Sequence, residues 1–177
     1  LFDRCAAVMA RIQSLPQPVI AQVQGLATAA GCQLVATCDL AVAGDEARFG
    51  VNGVNIGLFC STPMVALTRN IGTKMAFEML TTGRFMTAEE AQFQGLVNRV
   101  VHTDHLDRDT RALADQIAAK LSAAVRIGKR AFYAQGQMTT TEAYAYTGEV
   151  MVENMALDAT AEGIDAFLTK RKPDWPA

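Results

Sequence analysis

The chain has 177 residues, of which 50% are hydrophobic and 19% charged, the proportions of an ordinary globular domain. Sixteen Lys and Arg residues stand against 18 Asp and Glu residues, so the net charge of −2 provides no basic surface for nucleic acid or an anionic membrane. The longest uncharged stretch, residues 12–38, is interrupted by prolines, glycines and glutamines, and we therefore predict no membrane-spanning helix.

Residues 1–101 predict alternating helices and strands. Residues 25–31 are nearly all small and follow a β-branched segment, which indicates a tight turn leading from a strand into a helix. The sequence Thr87-Ala-Glu-Glu90 is a capping box, and Gly95 is expected to end the helix that it opens. In chain order, we predict a helix over 2–15, a strand over 19–24, a helix over 32–38, strands over 39–43 and 47–50, and a loop over 51–61. Helices over 62–80, with a break near Gly72, and over 87–95 follow, and then a strand over 97–101.

Residues 102–177 predict helices alone. We expect helices over 106–121 and 123–133, and one longer helix that Thr139-Thr-Thr-Glu142 caps and that continues to about Leu168. The long helix carries apolar or small residues at nearly heptad spacing, which favours packing within the chain over an oligomer seam. We predict one domain over 1–177, with a mixed portion over 1–101 and a helical region over 102–177.

Cysteine and histidine patterns give no metal or disulfide signature. The four cysteines are 27, 6 and 22 residues apart, which fits neither paired zinc ligands nor a secreted disulfide framework. A reducing compartment follows: the cytoplasm, or alternatively the mitochondrial matrix. His102 and His105 lack further zinc ligands, so we predict no metal site and expect both in an exposed turn. Because the chain begins at Leu1 within a helical pattern, we expect any targeting segment to precede it.

The turn from Gly25 to Gly31 is the strongest candidate for chemistry. A helix that begins near Ala29 presents unpaired backbone N–H groups and the positive end of its dipole, and small side chains allow a ligand carbonyl to approach closely. This arrangement would supply half of an oxyanion hole. The alternative is that small residues serve only close packing of the strand and helix.

Many segments of the chain resemble, in order and spacing, the enoyl-CoA hydratase/isomerase (crotonase) superfamily. The resemblance implies an α/β fold, a stacked ββα spiral with a C-terminal helical trimerisation region, and a homotrimer or hexamer as the assembly. It also implies that the N-terminal part of the family's domain lies outside this sequence. The segments are Pro18–Leu34, Cys38–Gly44, Arg48–Gly50, Asn55–Gly57, Arg69–Gly72, Glu78–Gly83, Thr87–Ala91, Gly95–Val97 and Glu162–Lys172, and both Ala29–Leu34 and Gly57–Pro63 are similar to one subgroup, the hydratase domain-containing proteins.

The resemblance implies an acyl-CoA substrate from fatty-acid metabolism, with coenzyme A as part of the substrate and no further cofactor. Family members hold the thioester carbonyl with two backbone N–H groups and thereby stabilise an enolate. The matching second donor here is Ala30, and the first would come from the N-terminal part of the family's domain. The other substrate-binding positions that the resemblance implies are Leu26, Ala27 and Gly31, together with Phe167 and Lys170, which in the family reach the coenzyme A of an adjacent subunit.

Two substitutions separate the chain from the family's hydratases, which use two glutamates for proton transfer. Gln33 occupies the first glutamate position and Gly53 the second. An amide can hold a water molecule but cannot take its proton, and glycine supplies no side chain. Since each general acid or base contributes about 10²- to 10⁴-fold, we expect little hydration by the usual route. The alternatives to a functional role are a helical Gln33 whose side chain bonds to nearby backbone and a loop glycine at position 53 with positive φ.

Three hypotheses remain open at the level of sequence. The first is a lyase- or isomerase-type enzyme with relocated chemistry, using Asn52, Asn55, Cys60, a group outside this sequence or the substrate's own carboxylate. The second is an inactive acyl-CoA-binding or regulatory protein. The third is a structural subunit that relies on the family's trimer packing and has no coenzyme A site. Separately, we expect Cys60 to be a packed thiol rather than a reactive one, and the alternative for Phe167 and Lys170 is a core side chain and a solvated basic tail.

Overall fold

The computed structural model describes residues 1–175 and divides into two compact units, Leu1–Ala114 and a second that begins at Asp115. The division falls within helix α6 (Leu106–Ala118). The first unit contains all the strands of the described residues. Its elements are α1 (Phe2–Ser14), β1 (Ile20–Val23), β2 (Leu26–Thr28), α2 (Ala30–Thr37), β3 (Leu40–Gly44), β4 (Arg48–Gly50), a 3₁₀ turn (Asn52–Ile56), α3 (Ser61–Leu67), α4 (Thr73–Thr82), β5 (Phe85–Thr87), α5 (Ala88–Gln94), β6 (Arg99–Val101) and a 3₁₀ turn (Thr103–His105).

Strands that follow one another in the chain go to different sheets within residues 1–114. Strands β1, β3 and β6 form a parallel sheet, whereas β2 and β4 are parallel and β5 joins β4 antiparallel. The order β1, β2, α2, β3, β4 is therefore a ββα unit followed by the start of the next. This alternation confirms the predicted stacked ββα spiral. Its core holds small and aliphatic side chains around Phe49, Met79 and Met86, which are fully buried.

Most predicted elements of the first unit are confirmed, and the differences are short. Residues 26–28 form strand β2 rather than part of the tight turn, because Leu26 and Ala27 pair with Arg48 and Phe49. Strand β5 was not predicted, since it is three residues long and ends at the Thr87 cap. The predicted loop over 51–61 contains the 3₁₀ turn Asn52–Ile56.

The predicted capping box of α5 is confirmed in full. The Thr87 hydroxyl accepts from the Glu90 N–H at 3.2 Å, and the Glu90 carboxylate accepts from the Thr87 N–H at 2.8 Å. This backbone hydrogen bond, with Arg84 nearby, holds the pKa of Glu90 below its usual value. The helix ends as predicted at Gly95, whose φ of +86° favours glycine.

The second unit contains α7 (Ser122–Gln135), α8 (Thr140–Met155) and α9 (Asp158–Leu168). The prediction of one helix to Leu168 is wrong, because the chain is extended at Leu157. Side chains take over the backbone hydrogen bonding there: the Thr160 hydroxyl donates to the Asn154 carbonyl at 2.7 Å, and the Asn154 amide donates to Thr160 Oγ1 at 3.1 Å. The break divides the predicted heptad stripe between two helices.

The end of the described chain covers α9. Trp175 donates its indole N–H to the Ala119 carbonyl at 3.2 Å, and its ring lies over Gly163. A Cβ atom on Gly163 would stand 2.7 Å from the ring. We expect Gly163→Ala to lower the free energy of unfolding by up to about 2 kcal/mol, because the clash costs about 1–3 kcal/mol and the higher helix propensity of alanine returns about 1 kcal/mol. Urea denaturation of Gly128→Ala, where a Cβ meets no atom within 4 Å, is the control, and an equal gain in both variants would contradict the clash.

No helix among residues 1–175 has the length and apolarity needed to cross a membrane. None of the four cysteines forms a disulfide within residues 1–175. The two compact units divide the chain at residues 114 and 115, whereas the sequence predicts a single domain with portions 1–101 and 102–177. The single domain stays a prediction.

Candidate functional site

The turn between β2 and α2 presents the candidate backbone donor. Helix α2 begins at Ala30, one residue after the position expected from the sequence. As the first residue of the helix, Ala30 has an N–H group without an acceptor inside the helix. Ala30 and Gly31 are both exposed. The N–H group therefore lies at the positive end of the helix dipole on an exposed residue, where a thioester carbonyl would be stabilised.

Ala29, immediately before this donor, has a strained backbone. Its φ is +48° and its ψ is −116°, a combination that alanine rarely adopts. The Ala29 N–H donates to the Gly50 carbonyl at 2.9 Å and so fixes the turn against β4. Ala30 itself is not among the described residues with positive φ. The backbone conformation at position 30 is therefore one that alanine adopts without strain.

We expect Ala29→Gly to raise the free energy of unfolding by about 1 kcal/mol. Relief of the strained φ and ψ is worth roughly 1–3 kcal/mol, and the added flexibility of the unfolded chain removes up to about 1 kcal/mol of that gain. Ala30→Gly, where the backbone is helical, should instead lose up to about 1 kcal/mol. Urea denaturation of both variants measures the difference, and equal losses would show that Ala29 stores no strain.

Leu26, Ala27 and Gly31 surround the turn in different ways. The Leu26 side chain is 63% exposed on β2, and Gly31 is exposed in the first turn of α2. The Ala27 side chain is buried in the hydrophobic core, so a contact between Ala27 and a ligand would have to involve its backbone. The structure therefore leaves Leu26, Ala30 and Gly31 as the accessible predicted positions of the first unit.

Gln33 lies on the buried side of α2. It is 6% exposed, and its Oε1 accepts from the Cys5 thiol at 3.8 Å. The expected bond from the Gln33 side chain to nearby backbone is thus replaced by a contact with a thiol of α1. The carbonyl of Gln33 accepts from the Thr37 hydroxyl at 2.7 Å. A neutral amide in this position can hold a hydrogen bond but provides no proton acceptor of useful basicity.

Gly53 is a glycine because of space rather than backbone conformation. The expectation of a positive φ is wrong, since Gly53 is not among the described glycines with positive φ. A Cβ atom at this position would stand 2.5 Å from the Leu58 carbonyl oxygen and 2.9 Å from Cys60 Sγ. The Gly53 N–H donates to the same sulfur at 3.3 Å. The space that a glutamate side chain would need is therefore occupied by the chain itself.

The thiols near the site are packed. Cys60 is 9% exposed and Cys32 is fully buried. Burial, reinforced by the nearby Cys60, raises the pKa of the Cys32 thiol to about 12, although a backbone hydrogen bond from Gly50 lowers it in part. Cys32 is therefore protonated at neutral pH and cannot act as a base. The structure agrees with the interpretation of Cys60 as a packed thiol.

Asn52 and Asn55 have separate neighbours. The Thr28 hydroxyl donates to Asn52 Oδ1 at 2.5 Å, which links the end of β2 to the start of the 3₁₀ turn. The Asn55 side chain instead packs against Gly83, the residue that ends α4. Sequence analysis did not identify the Thr28–Asn52 pair. The only signal in the sequence was the hydroxyl residue Thr28 among the small residues of the turn, and no sequence pattern connects Thr28 with position 52.

The remaining predicted residues lie outside the turn between β2 and α2. Phe167 is 81% exposed near the end of α9, so the alternative of a core side chain is wrong for this chain, and Lys170 follows it with a φ of +57°, both in the second unit. His102 and His105 are exposed in a turn, as predicted, and the His102 ring accepts from the Asp104 N–H. Within residues 1–175, no three His, Cys, Asp or Glu side chains are grouped as metal ligands.

The chain is similar to proteins of one family over nearly its full length. Residues 3–177 match the family model described as enoyl-CoA hydratase/isomerase. The chain is 51% identical over 175 residues to the Xenopus laevis protein named enoyl-CoA hydratase domain-containing protein 3, mitochondrial, covering 99% of this chain and 60% of that protein. It is 33% identical over 176 residues to the 2,3-dehydroadipyl-CoA hydratase of Escherichia coli, covering 99% and 69%.

Solved structures agree with this similarity. A crystal structure of an enoyl-CoA hydratase from Mycobacterium smegmatis has a TM-score of 0.97 and 56% identity, over 98% of this chain and 68% of that one. The human enoyl-CoA hydratase domain-containing protein 3 has a TM-score of 0.96 and 50% identity, over 98% and 69%. The chain spans about 60% of the length of the Xenopus laevis protein.

Proposed function

Because the chain belongs to the enoyl-CoA hydratase/isomerase (crotonase) family, we propose that it binds acyl-CoA thioesters and stabilises their enolates with the Ala30 N–H group. The observation that carries the proposal is the turn at Ala29. A strained residue lies there, and the residue that follows it is exposed at the start of a helix. Strain in a turn beside an exposed helix start is typical of a functional backbone position.

The same site lacks a base for hydration. Gln33 and Gly53 replace the two glutamates that the resemblance to hydratases implies, and the neighbouring Cys32 thiol is protonated at neutral pH. Water addition needs a group that takes a proton from water and a group that protonates the α-carbon. We therefore propose that the residues of this chain stabilise an enolate without adding water by the two-glutamate route.

The second candidate is a catalytically inactive acyl-CoA-binding or regulatory subunit. The packing around Gly53 supports it, since the position is closed to any side chain. The two candidates differ in turnover alone and share the thioester site. A purely structural subunit would have no such site and would not bind the thioester.

Binding of acetoacetyl-CoA tests the proposal. This 3-oxoacyl thioester forms an enolate without a protein base, whereas butyryl-CoA has the same chain length and does not. Isothermal titration of the full-length protein should show acetoacetyl-CoA binding at least about 10-fold more tightly than butyryl-CoA, because hydrogen bonds to a charged acceptor are stronger. Equal affinities would refute enolate stabilisation, and no binding of either thioester would favour the structural subunit.

Compartment and assembly follow from the family by analogy. The Xenopus laevis and human relatives are named as mitochondrial proteins, which supports the matrix over the cytoplasm for this chain. We also propose a homotrimer or hexamer. The second unit supports this with exposed apolar side chains that an interface would cover: Met151, Val152, Met155, Ile164, Phe167 and Leu168. Sedimentation of the full-length protein as a monomer would refute the assembly.

A further inference from the structure

We infer that Thr28 and Asn52 form a positioning pair that holds the Ala29 turn, and with it the Ala30 N–H group, in the orientation needed for a thioester carbonyl. This inference rests on the proposed function and adds two residues to it. Thr28 lies directly before the strained Ala29, and Asn52 lies directly before Gly53. The hydrogen bond from the Thr28 hydroxyl to Asn52 Oδ1 therefore connects two segments of the site. One carries the Ala30 N–H group, and in the other Gly53 occupies the position that the resemblance assigns to a glutamate in hydratases.

The turn needs such a restraint because its conformation is unfavourable. Ala29 is held on one side by its own N–H, which donates to the Gly50 carbonyl at 2.9 Å. A single hydrogen bond contributes about 0.5–1.5 kcal/mol, which is comparable to the strain of one residue in a sparsely populated conformation. The Thr28–Asn52 bond, made by side chains at 2.5 Å, is a second restraint on the same turn.

The residue that follows Asn52 is restrained by its neighbours in the chain. The Gly53 N–H donates to Cys60 Sγ, and the Leu58 carbonyl closes the space beside Gly53. The segment that carries Asn52 is thus anchored at Gly53, although no residue of the 3₁₀ turn is buried. A hydrogen bond to an anchored segment restricts Thr28 more than a bond to a mobile loop would.

Amide hydrogen exchange at Ala29, followed by NMR without ligand, tests whether the pair holds the turn. Thr28→Val and Asn52→Ala should each raise the exchange rate about 5- to 10-fold through loss of one restraint. Thr28→Ser retains the hydroxyl and should stay within about twofold of the unsubstituted protein. Thr68→Val is the matched control, because the Thr68 hydroxyl donates to the Met64 carbonyl at the C-terminal end of α3. Unchanged exchange in Thr28→Val and Asn52→Ala would overturn the inference.

Infrared spectra of bound butyryl-CoA, labelled with ¹³C at the thioester carbonyl, test whether the pair orients the donor. In the unsubstituted protein the bound carbonyl should absorb at lower frequency than the free thioester, and this shift should shrink in Thr28→Val and return in Thr28→Ser. A full shift in Thr28→Val would overturn the positioning role while leaving the proposed function intact. An absent shift in the unsubstituted protein would instead refute the proposed function, and the positioning role with it.

Discussion

Replacing the Ala30 amide with an ester, by incorporating lactic acid at position 30, is expected to weaken binding of acetoacetyl-CoA about 100-fold. The replacement removes one N–H group and preserves the methyl side chain, so it tests the backbone donor directly. Loss of a single oxyanion donor costs roughly 3 kcal/mol, which corresponds to about 100-fold. Isothermal titration provides the measurement.

Two controls make the ester experiment specific. The same ester replacement should change the affinity for butyryl-CoA much less, because a neutral carbonyl gains less than an enolate from the donor. Ala30→Gly keeps the N–H group and should bind acetoacetyl-CoA within a few-fold of the unsubstituted protein. An ester variant that binds acetoacetyl-CoA as tightly as Ala30→Gly would show that Ala30 is not the donor.

Gly53→Ala is expected to lower the free energy of unfolding by about 2–3 kcal/mol. The new methyl group would overlap the Leu58 carbonyl and the Cys60 sulfur, and overpacking of a closed site costs about 1–3 kcal/mol. The lost hydrogen bond from the Gly53 N–H to Cys60 adds to the effect if the turn shifts. Urea denaturation measures the change.

Gly25→Ala is the matched control within the same unit, since a Cβ at Gly25 meets no atom within 4 Å and its φ is not positive. It should change the free energy of unfolding by less than about 1 kcal/mol. Equal effects at Gly25 and Gly53 would mean that the turn relaxes and that position 53 is open. If the packing account holds, Gly53→Glu will not restore hydration, even combined with Gln33→Glu.

The sequence predicted the fold well because the residues that begin and end its helices and strands act locally. Residues that are neighbours in the chain determine these elements. Examples are the capping box of Thr87 and Glu90, the helix ends at Ser14 and Gly95, and the β-branched strand over 20–23. The ββα spiral came from the family resemblance, and the strand pairing confirms it. The single long C-terminal helix was wrong because its break depends on side chains of Asn154 and Thr160, with no proline or glycine to mark it.

The candidate site was harder to predict for the same physical reason. Position 30 could be found because a strand followed by small residues and a helix exposes N–H groups wherever it occurs. The cause of glycine at position 53 could not be found, since Leu58 and Cys60 approach it only in the folded chain. The Thr28–Asn52 pair joins residues 24 positions apart in sequence, and no local pattern relates them.

The most direct test of the account uses the full-length protein with a short trans-2-enoyl-CoA in ¹⁸O-labelled water, followed by mass spectrometry of the thioester. The account predicts that the enoyl-CoA binds but returns without ¹⁸O in its acyl chain, because neither Gln33 nor Gly53 can take a proton from water. Entry of ¹⁸O into the acyl chain, abolished by Gln33→Ala, would contradict the account and show that Gln33 positions water for an active hydratase.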